Sequence, residues 1–215
     1  GFSNEHWNGN VSYSHRYDPN HLSTYSIRGG TEVAQFNYAN PISELVNTGY
    51  SLLAYKNYLK IYERQFLNLG HRFEMVNGIV LNTWVEYANR LPLVNTTDYA
   101  FAKKGSRDYT SNDPLNYDSD QFHFRESKSL TADVRLRIRF KQEYMMMPRG
   151  KRIIGSKYPE LTFAYKKGFS DILNSDIDYD FASASVSDRV RFGLFGGIQW
   201  NITYGRYLNN NRIQF

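Results

Sequence analysis

From position 130 to 144 the chain alternates between apolar and polar residues with a single lapse. Leu130, Ala132, Val134, Leu136, Ile138, Phe140 and Tyr144 occupy even positions, with Gln142 the exception. Thr131, Asp133, Arg135, Arg137, Arg139, Lys141 and Glu143 occupy the odd ones. A period of two sends these sets to opposite sides of a β-strand, whereas a helix would spread the arginines around its whole circumference. Such a run constrains the fold more than any other feature of the sequence. Strands of soluble proteins are commonly about 5–6 residues long, while a tilted membrane-spanning strand needs about 9–11.

The same pattern recurs along the chain. Trp7, Val11, Tyr13 and Tyr17 alternate with polar residues up to the turn signal Asp18-Pro19-Asn20. The return run places Tyr25, Ile27, Thr31 and Val33 on one face and Ser26, Arg28 and Glu32 on the other. Further alternation involves Leu161, Phe163 and Tyr165, then Ile198, Trp200, Ile202 and Tyr204. Asn77-Gly78 separates two such runs and marks a hairpin. A two-residue Asn-Gly turn would pair Val76 with Ile79 and set Leu81 beside Glu74 and Val85 beside Gly70. A three-residue loop, Val76-Asn77-Gly78 with a left-handed glycine, sets Leu81 beside Phe73 and Val85 beside Leu69 and keeps apolar faces together, so this register is expected. Gly193-Leu194-Phe195-Gly196-Gly197 offers another short turn.

Several consecutive long runs favour an antiparallel transmembrane β-barrel of the outer-membrane type over a lipocalin-like or sandwich fold, because a long open sheet would leave long edges. Eighteen Tyr, 14 Phe and 3 Trp suit aromatic girdles at the two membrane interfaces. No stretch approaches the 18 or more apolar residues of a spanning helix. The 215 residues accommodate roughly eight to ten strands in one domain, 1–215, either as a barrel of their own or as part of a larger one. Residues 88–121 form a long polar segment suited to an extracellular loop. Residues 41–56 fit either a short amphipathic helix or a poorly alternating strand. The chain opens without a basic start or an apolar stretch, so a mature or truncated product is expected.

Energetics orient the barrel. A basic residue facing lipid costs about 2–4 kcal/mol at mid-membrane, so four on one strand would approach the ~5–15 kcal/mol that stabilises a whole domain. Asp133, Arg135, Arg137, Arg139, Lys141 and Glu143 are therefore expected to form a lumen-facing charge row. Side chains two apart on a strand lie about 6.8 Å apart and repel by about 0.6 kcal/mol in water, which a wet interior with nearby Asp and Glu can absorb.

Chemistry-bearing motifs are sparse. Without cysteine there is no disulfide, thiol nucleophile or thiolate metal site. His6, His15, His21, His71 and His123 lie in unrelated runs, no Gly-x-Ser-x-Gly elbow occurs, and no His pair has metal-binding spacing. His71 falls on an apolar face at an expected interface position. Asp176, Asp178 and Asp180 share one strand face and could bind a cation, but a charged lumen or loop edge is the favoured reading. The run from Asn112-Asp113 to Asp118-Ser119-Asp120 lacks the glycine and terminal glutamate of a calcium loop. No catalytic, cofactor or metal residue is assigned. The net charge of +5 is scattered rather than patched, which argues against nucleic acid as a partner.

Particular stretches resemble a known family. They include Gly29-Gly30-Thr31-Glu32-Val33 with Asn40-Pro41-Ile42-Ser43, Asn57-Tyr58-Leu59-Lys60-Ile61-Tyr62-Glu63, Asn77-Gly78 before Glu86-Tyr87-Ala88, and Asn95-Thr96-Thr97-Asp98-Tyr99. Arg139-Phe140-Lys141-Gln142, Gly155-Ser156-Lys157-Tyr158-Pro159 and Tyr165-Lys166-Lys167-Gly168 continue the match. Together they resemble Bacteroidetes-type outer-membrane β-barrels of unknown function that carry an N-terminal carboxypeptidase-regulatory-like domain. The resemblance implies a bacterial outer-membrane location, contact with outer-membrane lipid, and a chain corresponding to the barrel portion of a longer protein. Phe215 could imitate a last-strand signal, but a truncated barrel is the expectation.

The expected role is a non-catalytic structural or accessory subunit of an envelope complex for transport, export or assembly, with other outer-membrane or periplasmic proteins as partners. Two alternatives stay open: a solute or peptide pore with a basic lumen row, and an outer-membrane lipid-modifying enzyme.

Overall fold

The computed structural model describes residues 7–37, 42–54, 56–94, 101, 110–114 and 124–213. Eight strands form one antiparallel sheet in which spatial neighbours follow chain order. They are β1 (Gly9–Asp18), β2 (Ser23–Gln35), β3 (Ile61–Val76), β4 (Ile79–Pro92), β5 (Ser127–Arg139), β8 (Glu160–Phe169), β9 (Asp178–Arg191) and β10 (Gly197–Arg212). Two short strands, β6 (Glu143–Met147) and β7 (Gly150–Gly155), pair among the described residues only with each other and lie between β5 and β8 in the chain. The expectation of eight to ten strands is met, and the all-β antiparallel class with it. Among the described residues β1 and β10 each have one hydrogen-bonded neighbour, so the sheet is open along these two edges.

One connection, over 41–56, resolves an alternative left open by the sequence. It contains a helix, α1 (Glu44–Ala54). Ser43 stands at its N-terminus and its Oγ accepts from the Val46 amide at 3.4 Å, with Glu44 in the first turn, where the helix dipole favours a negative charge. Asn47 then ties the helix to the approach to β3: its Oδ1 accepts from the amides of Tyr58 and Leu59, both at 2.9 Å. Beside it the Lys60 ammonium donates to the Ser111 carbonyl; burial pulls its pKa below the ordinary value, and the Asp113 carboxylate opposes that shift.

The β3–β4 register follows the expected apolar pairing. Phe73 faces Leu81, and Leu69 faces Val85. The means differ in detail, because Val76 pairs with Ile79 across a two-residue turn and an irregularity between Glu74 and Val76 restores the register. A bulge of one residue lets a tight Asn-Gly turn coexist with matched apolar faces. The Asp18-Pro19-Asn20 turn is closed by the Asp18 carboxylate, which accepts from the Asn20 amide at 2.9 Å and the His21 amide at 3.3 Å. The glycine-rich segment after β9 makes the short turn into β10, with Gly193 and Gly196 at positive φ.

Strand β5 ends five residues before the alternation does. Arg139 is its last residue, Lys141 turns the chain at φ 48°, and Glu143 opens β6. Period-two alternation continues across the break because β6 is itself a strand, so periodicity alone could not reveal the turn. The polar segment over 88–121 also begins later than expected, since β4 extends to Pro92. Residues 95–100, 102–109 and 115–121 of that segment, the carboxylate run over 118–120, His6, His123 and Phe215 lie outside the described residues.

Burial runs opposite to that of a water-soluble sheet. The exposed large apolar side chains include Val11, Tyr13, Ile27, Leu67, Leu69, Val85, Val134, Phe163, Ile198, Ile202 and Tyr204. The pairing registers put all of these on one face. The other face buries Glu74, Asn82, Ser127, Ser129 and Thr131. Among the described residues the buried apolar side chains are few: Leu22, Phe66, Val80, Ala88, Leu93, Phe124 and Ile177. The accessible surface is 15180 Å², against roughly 10,000 Å² for a compact monomer of this mass.

Candidate functional site

The polar face of the sheet holds most of its ion pairs, although Lys167 and Asp180, 2.9 Å apart, pair on the other face. On β2, β3 and β4 the Glu32 carboxylate accepts from Arg28 at 2.6 Å and from Arg64 at 3.1 Å. Arg64 also reaches Glu86 at 2.5 Å, and the Asn68 amide donates to the same carboxylate at 3.1 Å. Arg28 and Arg64 both lie over the Phe66 ring, 5.0 and 4.5 Å from its centroid. This is a closed network in which each cation meets a carboxylate and an aromatic face.

Four members of the expected charge row, Asp133, Arg135, Arg137 and Arg139, project from β5 onto this face. Each arginine has an anionic neighbour. Arg135 lies 3.7 Å from Asp133 and 5.2 Å from the Trp84 ring, whereas Arg137, at 3.8 Å, and Arg139 share Glu160 of β8. Lys141 and Glu143, placed on the same row by the sequence pattern, stand apart from it. Lys141 sits in the turn after β5, 5.4 Å from the Tyr158 ring, and Glu143 belongs to the β6–β7 hairpin.

A second cluster escaped sequence reasoning. Glu74, near the end of β3, is 2% exposed. Its carboxylate accepts from Lys151 Nζ at 2.5 Å, from Gln142 Nε2 at 2.8 Å and from the Gly78 amide at 3.0 Å. Lys151 Nζ also donates to Asn77 at 2.8 Å and lies 4.2 Å from the Tyr144 ring. Lys151 belongs to β7, so the β6–β7 hairpin lies against the β3–β4 turn. Its backbone reaches further: the Lys151 amide donates to the Pro19 carbonyl, in the β1–β2 turn, at 3.2 Å. At the other end Ser156 Oγ donates to the Phe140 carbonyl at 2.6 Å. A cleft of about 470 Å³ there joins Ser156 and Tyr158 to Glu160, Ser187, Arg189 and Gln199. The available signal was Met147-Pro148-Arg149-Gly150, whose proline and glycine mark a turn within what otherwise looks like one long strand.

The apolar face carries an aromatic group near the same end. Tyr17 and Tyr25 stack at 4.6 Å, Tyr25 and His71 at 4.7 Å, and His71 and Phe73 at 5.3 Å. The Tyr17 hydroxyl and His71 Nε2 are 2.8 Å apart. His71 therefore partners a phenol within an aromatic stack.

The three aspartates near β9 do not converge. Asp176 accepts from the Lys128 amide, Asp178 from the side chains of Asn209 and Asn211, and Asp180 from Tyr165 and Lys167. Among the described residues no group of three His, Asp or Glu side chains is placed to hold a metal ion. Among the described residues no helix is long and apolar enough to cross a membrane, which says nothing of strands.

Over residues 1–215 the chain matches the model for the C-terminal domain of a family of unknown function (DUF5686). It belongs to that family. No curated protein and no solved structure matches it. What membership in this family adds is a domain whose members share a sequence pattern without an assigned reaction, so function must be argued from the two faces of the sheet.

Proposed function

We propose that this domain is the wall of a bacterial outer-membrane β-barrel and serves as a non-catalytic structural or accessory part of an envelope complex. The observation that carries the reading is the reversed burial of the sheet, with apolar side chains outward and ion pairs on the opposite face. Eleven large apolar residues, each about half exposed, would cost on the order of 10 kcal/mol if left in water. That rivals the ~5–15 kcal/mol that holds a domain together, so the face requires an apolar environment. Lipid supplies one, and strands of 10 to 16 residues are long enough to span it.

Closure of β1 and β10, with each other or with further strands, completes the barrel, because a bilayer offers no partner for open backbone edges. The family resemblance adds a carboxypeptidase-regulatory-like domain ahead of the barrel in the full-length protein. The accessory role is supported by the largely offset charge of the row, two carboxylates against three arginines. Glu160 and Asp133 offset Arg135, Arg137 and Arg139, which weakens the case for an anion-selective lining.

Two measurements test the reading. After carbonate extraction of cell envelopes the protein should remain with the outer-membrane fraction, and release as a soluble protein would overturn the location. Purification in mild detergent should recover a stoichiometric companion. A lone protein giving anion-selective conductance that Arg137→Glu abolishes would replace the accessory role with a pore.

A further inference from the structure

We propose that the β6–β7 hairpin is a latched gate across the short-turn mouth of the barrel, with Lys151 as its catch. This inference rests on the barrel reading above. The hairpin leaves the sheet after Arg139 of β5 and returns at Glu160 of β8, yet its tip meets the β1–β2 turn, where Gly150 lies against Pro19. From β5 to β2 the sheet spans three strand spacings, about 14 Å, and a five-residue strand covers about 17 Å. The ribbon therefore lies across the end of the sheet rather than continuing it. It does so on the polar side, since Lys151 meets Glu74, whose register partner Val80 shares that face and is 2% exposed. In a closed barrel the polar side is the lumen, and the ribbon crosses its mouth.

Gln142 and Ser156 hold the base of the ribbon, and the attachment of its tip is concentrated on one residue. β6 and β7 bond only to each other as strands, and an isolated two-stranded ribbon is marginal in water. At the tip, Lys151 supplies the Pro19 backbone contact, the Glu74 ion pair and the Asn77 hydrogen bond. The Lys151 and Glu74 side chains are 6% and 1% exposed. Removal of either charge leaves the other buried without its counter-ion, which drives it toward water. For Lys151 that movement takes the hairpin with it.

The native chain has no cysteine, so Val80→Cys introduces a single thiol beneath the gate. The purified full chain is reconstituted in phosphatidylcholine vesicles containing phosphatidylglycerol and exposed to a charged methanethiosulfonate reagent. With Glu74 and Lys151 both present the thiol should react slowly. Glu74→Gln and Lys151→Gln should each accelerate it at least ~10-fold, and the exchange Glu74→Lys with Lys151→Glu should restore slow reaction. Equal rates in parent and both single variants, with folding verified by heat-modifiable migration, would overturn the gate. Should one single variant fail to fold, the other and the exchange decide. A parallel thiol from Val85→Cys, on the apolar face, should stay protected by lipid in every background. Fast modification there would overturn the bilayer reading itself, whereas slow modification there with unchanged Val80→Cys rates would overturn the gate alone.

Discussion

At the scale of single residues, particular close approaches on the polar face leave no room for an added side-chain atom. Gly70 of β3 lies where a Cβ would overlap Ser26 Oγ and come within 2.9 Å of the Trp84 ring. Gly70→Ala should destabilise the protein by about 1–3 kcal/mol, read as a lower urea midpoint in detergent micelles with unchanged slope. Glu160 is the shared carboxylate of Arg137 and Arg139, and all three side chains are only partly exposed. Glu160→Gln should cost about 1–2 kcal/mol, between the limits for exposed and buried pairs. An unchanged midpoint would show that solvent already screens both arginines. Arg135, Arg137 and Arg139 were legible as one face of a strand because alternation is a local property of the chain. Glu160 as their partner was not, because cross-strand pairing depends on a register with β8, set across the intervening hairpin.

At the scale of elements, the β3–β4 turn has two roles. It sets the register of the central strands, and it presents Asn77 and Gly78 to the chain that leaves β5. Gly78 has φ 86°, a Cβ there would overlap the Arg139 carbonyl oxygen, and the Arg139 amide donates to the Gly78 carbonyl at 2.7 Å. Gly78→Ala should therefore cost more than the ~1 kcal/mol of left-handed strain alone, measured by the same unfolding assay. A loss below that would mean the turn can relax away from Arg139. The turn was readable from Asn-Gly and from matching Leu81 with Phe73. The bulge that reconciles the two was not, since it arises from competition between turn geometry and apolar pairing. Helix α1 was ambiguous for a different reason: its apolar residues Leu45 and Leu53 stay exposed, so no buried face imposed a clean helical period.

For the molecule as a whole, the solvent of the apolar face decides the biology. Leu69→Arg places a charge in the middle of that face. In a bilayer it should destabilise the barrel by about 2–4 kcal/mol, whereas an exposed substitution in water is normally within ±0.5 kcal/mol. Refolding into lipid vesicles, followed by denaturant titration, separates the two. A loss near zero would place the face in water and remove the basis for the location. The hairpin adds a second whole-molecule property, because it makes one end of the polar face structurally unlike the other. The opposite end carries α1, so the two ends of the sheet differ in architecture.

Alternation along the chain was enough to determine that the protein is antiparallel β, that its strands are long, and which residues share a face. These are consequences of backbone geometry acting over neighbouring positions, and every residue carries its own share of the signal. Tertiary structure alone decided where β5 stops, that Lys141 and Glu143 leave the charge row, and that Glu74 and Lys151 meet across 77 positions of chain. Those outcomes depend on which distant groups compete for the same hydrogen bonds, and a buried carboxylate selects its cation by position in space rather than by distance along the sequence.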